Sequence, residues 1–490
     1  TSLGNMNLRT CLLPEREAPY LLSLELARHR IMLFLNKLED WAMFDLGPTD
    51  PVMAKFNEAR TLFTQALVAQ RDQAAAHGYA AIADRMAWQA TALCVQAGEL
   101  LTMRDAQRDL PDRISGKFYA RAVQQYINAH HESPPKGVPI LPANATGVML
   151  PGRPILGCTV NPNQFSESLQ KSITDTCDFI SLPMRWNDME PTEGKYAFQR
   201  TDRWIEWAVR KARLPVAAGP VVDFRAICVP EWLYIWENDY ETLRELVYEH
   251  IRHIVTRYRR TVSRWTIASG LHVNTNFQLS FEQMMDLTRV AVLLVRKLHP
   301  SARIELELTQ PWGEYFTENR RSLPPYVYAE MAQQAGINVD GYGLRLQLGQ
   351  PEPGQGVRDL MAIASMLDRF ANLEKPISIS SIGVPSMLQE STLESKYQSG
   401  VWHAPWTPET QCDWLTQVFA MALSKPFIHS ICWHELADAA DPLEMPGGGT
   451  IGRDGAPKPA LRRLGQIRDA LRDGHSPFAI PDIGLSVLSA

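Results

Sequence analysis

Residues from about 155 to 473 predict a (β/α)₈ barrel, and the residues before them predict an all-α helical domain. Three observations carry this expectation. Short apolar runs alternate strictly with longer amphipathic ones, eight of each. Strict β–α alternation implies a parallel sheet, and eight units closing on themselves make a barrel. No glycine-rich phosphate loop follows any apolar run, which weakens the alternative of an open doubly wound sheet.

Taken in order, residues 1–133 read as helical. Ile31, Leu35, Leu38 and Ala42 recur at the spacing of one helix face, as do Phe56, Ala59, Phe63 and Leu67, and again Ile82, Met86, Leu93 and Ala97. Gly47-Pro48 and Asp50-Pro51 separate the first two helices. A fourth helix is expected at about 115–130. Helical hairpins of this kind bury one stripe each against a neighbour, so packing or assembly into a homo-oligomer is the expected role. Residues 134–154 hold Pro134, Pro135, Pro139, Pro142, Pro151 and Pro154. Proline fixes φ and lacks an N–H, so this stretch is a linker.

The strand candidates are 155–160, 178–182, 215–222, 264–268, 303–308, 341–348, 376–380 and 428–433. Helical patterns cover about 165–177, 198–213, 239–260, 280–298, 324–335, 357–372, 408–424 and 458–473. Residues 474–490 form a tail.

The chain's net charge of -5 leaves no basic field for nucleic acid or anionic lipid. No apolar run approaches the roughly 20 residues of a membrane span. Seven scattered cysteines form no Cys-x-x-Cys pair, which fits reduced thiols in a cytosol. The opening Thr-Ser-Leu-Gly-Asn-Met lacks the regions of a signal peptide, so a cytoplasmic location is expected. It also lacks an initiator methionine, as a trimmed, processed or partial chain would. The sequon Asn144-Ala-Thr146 carries little weight without a secretion signal. No cofactor and no metal are expected: His434-Glu435 begins like a two-histidine zinc motif, but Asp438 stands where the second histidine belongs.

In such barrels the active site lies at the C-terminal ends of the strands. The second run is followed by Met184-Arg-Trp186-Asn-Asp-Met-Glu190-Pro191-Thr-Glu-Gly194-Lys-Tyr-Ala-Phe198 and then by Asp202. The fourth reads Arg264-Trp265-Thr-Ile-Ala-Ser269-Gly270. The seventh reads Ile377-Ser-Ile-Ser380-Ser381-Ile382-Gly383. Trp433 and Asp438 follow late, and Gly452-Arg-Asp-Gly-Ala-Pro457-Lys458-Pro459-Ala460 closes the unit. These blocks resemble glycoside hydrolase family 10, the xylanase family. Its second-strand motif is Met-Lys-Trp-(x)n-Glu-Pro-x-x-Gly-x-(aromatic)-x-Phe, and its closing segment carries Lys-Pro-Ala. The resemblance covers about 155–470 and not the helical N-terminus.

The resemblance implies a pair of catalytic glutamates, and both are replaced. Retaining glycosidases need two carboxylates about 5–5.5 Å apart, one as acid/base and one as nucleophile. By the match, the acid/base position is Gly270 and the nucleophile position is Ser381. Glycine has no side chain, and Ser381 has no general base in sight along the chain. The asparagine before the acid/base is Ser269, and the histidine expected after strand three is missing from Gly219-Pro-Val-Val-Asp223-Phe-Arg225.

The expectation is a catalytically degenerate, non-hydrolytic barrel that binds an oligo- or polysaccharide or serves as a scaffold. Its sugar-contacting candidates are Arg185, Trp186, Gln347, Trp433 and His434, the indoles because flat aromatic faces stack on sugar rings. Trp232, Trp236, Trp312, Trp402 and Trp406 add to the aromatic content near the rim. The rival expectation is a working, xylan-type glycosidase using relocated carboxylates, with Asp223, Glu314 and Glu435 as substitutes after strands three, five and eight. Glu305 and Glu307 share one face of strand five and are read as structural, with Arg345 as partner.

Overall fold

The computed structural model describes residues 3–77, 80–131, 153–389, 397–440 and 444–479. The sequon, the linker up to residue 152 and the tail beyond 479 lie outside the described residues. Four helices come first: α1 (Leu22–Asp40), α2 (Pro51–His77), α3 (Ala81–Ile114) and α4 (Lys117–His130). The barrel follows. Its strands are β1 (Ile155–Thr159), β2 (Phe179–Leu182), β3 (Val216–Ala218), β4 (Val262–Ser269), β5 (Arg303–Leu308), β6 (Gly341–Gln347), β7 (Ile377–Gly383) and β8 (Ile428–Trp433). A two-residue strand, Val222–Asp223, resumes after β3 and pairs Asp223 with Ser269 of β4. All barrel strands run parallel. β1 pairs with β8 and β3 with β4, which closes the ring.

The barrel helices are α5 (Glu167–Thr176), α6 (Gln199–Glu206), α7 (Tyr240–Tyr258), α8 (Phe281–Leu298), α9 (Pro325–Gln334), α10 (Leu360–Ala371), α11 (Pro408–Ser424) and α12 (Pro459–Asp473). Side-chain caps start α5, α7, α8, α10 and α11, from Ser166, Asp239, Ser280, Asp359 and Thr407. Each accepts an N–H that the first turn leaves without a helical partner.

Three expectations for the N-terminal region change. The first helix begins only at Leu22. The segment before it runs along the barrel, where Gly4 and Asn5 pair antiparallel with Trp402 and Val401 and the Asn7 N–H donates to the Val357 carbonyl. The fully buried face of α1 includes Ala27, Arg30, Phe34 and Lys37; of the expected stripe, Ile31 and Leu38 are half-buried against the core and Leu35 and Ala42 are exposed. Two of those buried residues are cations, and barrel carboxylates hold them: Arg30 pairs with Asp359 at 2.6 Å and Lys37 with Asp368 at 3.0 Å. Hydrophobic periodicity cannot see a face buried through ion pairs. The buried face of α3 is Ala83, Ala87, Ala90, Cys94, Ala97 and Leu101, while Ile82 is exposed. Small residues allow close helix contact. α3 also lies against α10 and α11, and a Cβ at Gly98 would stand 3.0 Å from the Met361 sulfur. The helical region and the barrel thus share one continuous hydrophobic core.

Candidate functional site

At the C-terminal ends of the strands, the two positions matched to catalytic glutamates are quiet. Gly270 follows β4 with φ +61°, a backbone region that side chains rarely adopt, and a Cβ there would meet Thr309 Oγ1 at 3.0 Å. Its N–H donates to the Glu307 carbonyl. The preceding Ser269 donates from Oγ to Glu307 Oε1 at 2.7 Å.

The mouth is instead filled by ions. β5 alternates apolar and acidic residues, and Glu305 and Glu307 reach partners on β4, β6 and β7. Glu305 lies toward the opposite, N-terminal end of the strands, where it takes Arg303 at 2.9 Å and the Ser378 hydroxyl at 2.9 Å. Glu307 takes Arg345 of β6 through Nε at 3.0 Å and Nη2 at 2.8 Å, and also the Ser380 hydroxyl. The reading of Glu307 and Arg345 as a structural pair therefore matches the fold. Asp223 is clamped by Arg225, with Nε 2.9 Å and Nη2 2.6 Å from Oδ2. Glu444, from the loop after β8, reaches over the mouth. It accepts from Arg225 Nη2 at 2.9 Å, contacts Arg345 Nη1, and lies 3.9 Å from Arg185 Nη2. Burial pushes the Glu444 carboxyl up, but Arg225 and Arg345 outweigh burial and hold it well below the usual carboxylate range. Burial likewise disfavours charge on Arg225, and Asp223 and Glu444 more than offset that, raising its pKa.

Beside this cluster lies a neutral triangle. Gln347 Nε2 donates to Ser381 Oγ at 2.9 Å and lies 2.8 Å from His434 Nδ1. Ser381 Oγ lies 3.4 Å from the same Nδ1. Ser381 therefore does have an imidazole in reach, which sequence reading missed because residues 381 and 434 meet only through the β7–β8 pairing. Burial pushes His434 down to about 4, and Gln347 already occupies Nδ1. A base so weak, with its lone pair engaged, does not activate a hydroxyl at neutral pH. Two buried atoms of this triangle, Gln347 Oε1 and His434 Nε2, have no protein partner. Buried polar atoms are nearly always bonded, so these two are the natural contacts for water or ligand.

The three substitute carboxylates have different surroundings. Glu314 bonds Arg358 and lines a cavity bordered by residues 3–8, Thr10 and α3. Glu435 is fully buried, 3.5 Å from Asn161 Nδ2. Asp223 stays at the mouth, but its near neighbour is Glu444. Their oxygens lie 2.6 and 2.9 Å from one Arg225 nitrogen, so they are no farther apart than the roughly 5.5 Å of a retaining pair. A general acid needs a raised pKa, and Glu444 is held ionised. Glu444 sits in a Pro-Leu-Glu-Met-Pro stretch that carries no motif, so no sequence signal pointed to it.

The indole candidates are enclosed. Trp186 is 1% exposed, donates to Glu190 Oε2 at 2.9 Å and stacks on His250 with centroids 4.1 Å apart. Trp433 is fully buried and donates to the Gly448 carbonyl at 2.9 Å. Neither offers a bare face at the mouth. Trp402 and Trp406 are also buried, donating to Glu99 and the Gly400 carbonyl.

Two cavities open nearby. One beside Gly270 and Arg225 has about 50 Å³, room for a water or two. The other, about 370 Å³, is polar and lined by Asn161, Asn163, Arg185, Asn187, Asp188 and Gln199 among others. That volume lies within the range of small-molecule sites. Among the described residues no cluster of three or more His, Cys, Asp or Glu is arranged to hold a metal ion. No described helix is long and apolar enough to cross a membrane.

Known proteins agree with this architecture. The family model for glycosyl hydrolase family 10 matches residues 152–446. Over 177 residues the chain is 22% identical to endo-1,4-beta-xylanase B of Humicola insolens, an alignment covering 35% of this chain and 46% of that protein. The chain thus spans about half the length of this curated relative. Native xylanase 10B from Thermotoga maritima superposes with a TM-score of 0.50 at 18% identity, covering 66% of this chain and 97% of that one. A family 10 endoxylanase retrieved from a sugarcane soil metagenome gives 0.51 at 15% identity, covering 64% and 97%. At such identities the likeness is one of fold. With more than half of its length matched by the family model, the chain belongs to glycosyl hydrolase family 10.

Proposed function

We propose that this barrel is a catalytically degenerate xylanase-like domain that binds carbohydrate without cleaving it. The observation that carries the reading is the pair Gly270 and Ser381 at the positions matched to the two catalytic carboxylates, at a mouth where Asp223, Glu307 and Glu444 are each paired with arginine. The chemistry of this family requires one carboxyl to hold a proton and another to attack. Asp223, Glu307 and Glu444 fill neither role in this reading, since each is locked in a charge-assisted pair. The polar cavity of about 370 Å³ supports the binding half of the reading, because amide side chains and an arginine suit sugar hydroxyls. At the strand ends, Gln347 and His434 add buried polar atoms without a protein partner.

The test is a hydrolysis assay on xylo-, cello- and mixed-linkage oligosaccharides beside a calorimetric titration on the same ligands. Binding without turnover is expected. Turnover that disappears in Asp223→Asn or Glu435→Gln would establish a relocated pair and remove this reading.

A further inference from the structure

A long sugar chain can lie along the strand ends only if it crosses the mouth of the ring, and here the mouth is barred. Glu444, from the loop after β8, bonds Arg225, which follows the strand segment after β3, at 2.9 Å, and it also bonds Arg345 on β6. β8, β3 and β6 are not neighbours in the ring, so the bar runs across the mouth and not along its rim. The Arg345 and Glu444 side chains are only 10% and 11% exposed, which leaves little open space over the centre. The bar is also fixed. The Ser386 N–H donates to the Gly447 carbonyl, the Trp433 indole to the Gly448 carbonyl at 2.9 Å, and the Lys458 ammonium to the Gly449 carbonyl at 2.7 Å. Consecutive carbonyls just past Glu444 are thus held from separate parts of the chain. Swinging the loop away would leave those groups without their bonds.

The polar cavity lies to one side of that bar. Its walls come from the loop after β1 (Asn161, Asn163), the loop after β2 (Arg185, Asn187) and the start of α6 (Ala197, Thr201). Cavity and bar meet at Arg185, which lines the one and lies 3.9 Å from Glu444 of the other. A ligand running from the cavity toward the centre of the ring therefore stops at the bar. The volume of about 370 Å³ limits its size. A pentose displaces roughly five waters, at about 30 Å³ each, so one or two sugar rings fill the space. Asn187 and Thr201 each carry a side-chain oxygen that no protein group satisfies, and a sugar hydroxyl supplies the donor such an oxygen lacks. We propose that this cavity takes one end of a glycan chain, a mono- or disaccharide unit, and that the Glu444 bar excludes an internal stretch of polysaccharide. The proposal rests on the carbohydrate-binding reading above and narrows it to chain ends.

The experiment titrates the full chain by calorimetry with xylose, xylobiose, xylotetraose and xylohexaose, with the matching cello-oligosaccharides, and with soluble xylan before and after mild acid cleavage. Affinity is expected to level off at the disaccharide, changing by less than about threefold up to the hexasaccharide. Binding to xylan is expected to rise with the number of chain ends that cleavage creates. Ala197→Trp fills the cavity away from the bar and is expected to weaken disaccharide binding by about tenfold or more; Gln199→Trp is a second filling variant should the first fold poorly. A gain of about tenfold or more from disaccharide to hexasaccharide, or xylan binding that ignores the number of ends, would overturn the chain-end assignment and leave carbohydrate binding in place. Undiminished disaccharide affinity in a folded filling variant would overturn the cavity as the site. Absence of binding to every one of these sugars would remove the carbohydrate-binding reading and this proposal with it.

Discussion

Charges cluster at both ends of the barrel, and the two clusters do different jobs. At the mouth, arginines meet carboxylates that stand on the barrel's own strands or on the loop after β8. At the opposite end, the charges come from parts of the chain far apart in sequence. Lys37 of α1 pairs with Asp368 of α10 at 3.0 Å, and Lys425, just before β8, pairs with Asp105 of α3 at 3.2 Å and Asp368 at 3.1 Å. Trp41 lies among them, donating to Asp368 at 3.0 Å with the Lys425 ammonium 4.6 Å from its ring. These contacts fasten the helical region to the barrel. The mouth contacts fasten nothing to the barrel; they occupy the place where the fold ordinarily works. Charge pairs of the same chemistry thus serve as a seam at one end and as a filling at the other.

The largest expected effect lies at the mouth. Glu307→Ala leaves Arg345 buried with one partner fewer and removes acceptors from Ser269 and Ser380. Breaking a buried pair on one side costs about 3–5 kcal/mol, and urea unfolding measures it. A loss under about 1 kcal/mol would mean that solvent or relaxation supports Arg345. At the seam, Asp368→Asn keeps the shape but weakens three contacts, for an expected loss of about 2 kcal/mol. Ligand titrations at the mouth should be unchanged, and a change would couple the two ends.

Acid separates them further. Burial pushes Asp368 up, but Lys425 and Lys37 outweigh it, and its pKa falls below the ordinary value. Glu444 is depressed as well. A carboxylate with a depressed folded pKa contributes stability that is present above the ordinary carboxylate range, and that stability is lost as pH falls through the folded value. Stability should therefore decline below about pH 4, and Glu444→Gln should flatten that decline. A decline unchanged by Glu444→Gln would assign it to the seam alone.

A smaller change is expected from Trp186→Phe. It removes the indole N–H bonded to Glu190, worth about 1 kcal/mol, and should leave sugar affinity alone because Trp186 is enclosed. Loss of affinity would mean that the loop opens to present the ring. Smallest of all is the expected gain from restoring carboxylates: Gly270→Glu with Ser381→Glu should yield no xylan hydrolysis. Glutamate at 270 must take a left-handed backbone, costing about 1–2 kcal/mol, and would point at Thr309 under a filled mouth. Turnover in that double variant would show that the mouth admits substrate.

Much of the barrel was legible because its signals are local. Each strand is a short apolar run and each helix an amphipathic one, and each expected element recurs within a few residues of its place. The family motifs lie on continuous stretches as well, so Gly270 and Ser381 could be matched to the catalytic positions directly from neighbours along the chain. The helical region was legible only as helices. Its buried faces were not, because Arg30 and Lys37 enter the core on the strength of Asp359 and Asp368, more than three hundred residues away.

By itself, then, the sequence determined the parallel eight-fold alternation and the family, since those follow from residue type and short-range order, and from its motifs comes the proposal that Gly270 and Ser381 replace the catalytic acids. Tertiary structure alone decided that His434 meets Ser381, that Trp186 and Trp433 are enclosed, and that Glu444 fills an arginine-lined mouth. Each of those depends on which strand ends converge in the closed ring, and convergence is a property of the ring rather than of any segment within it.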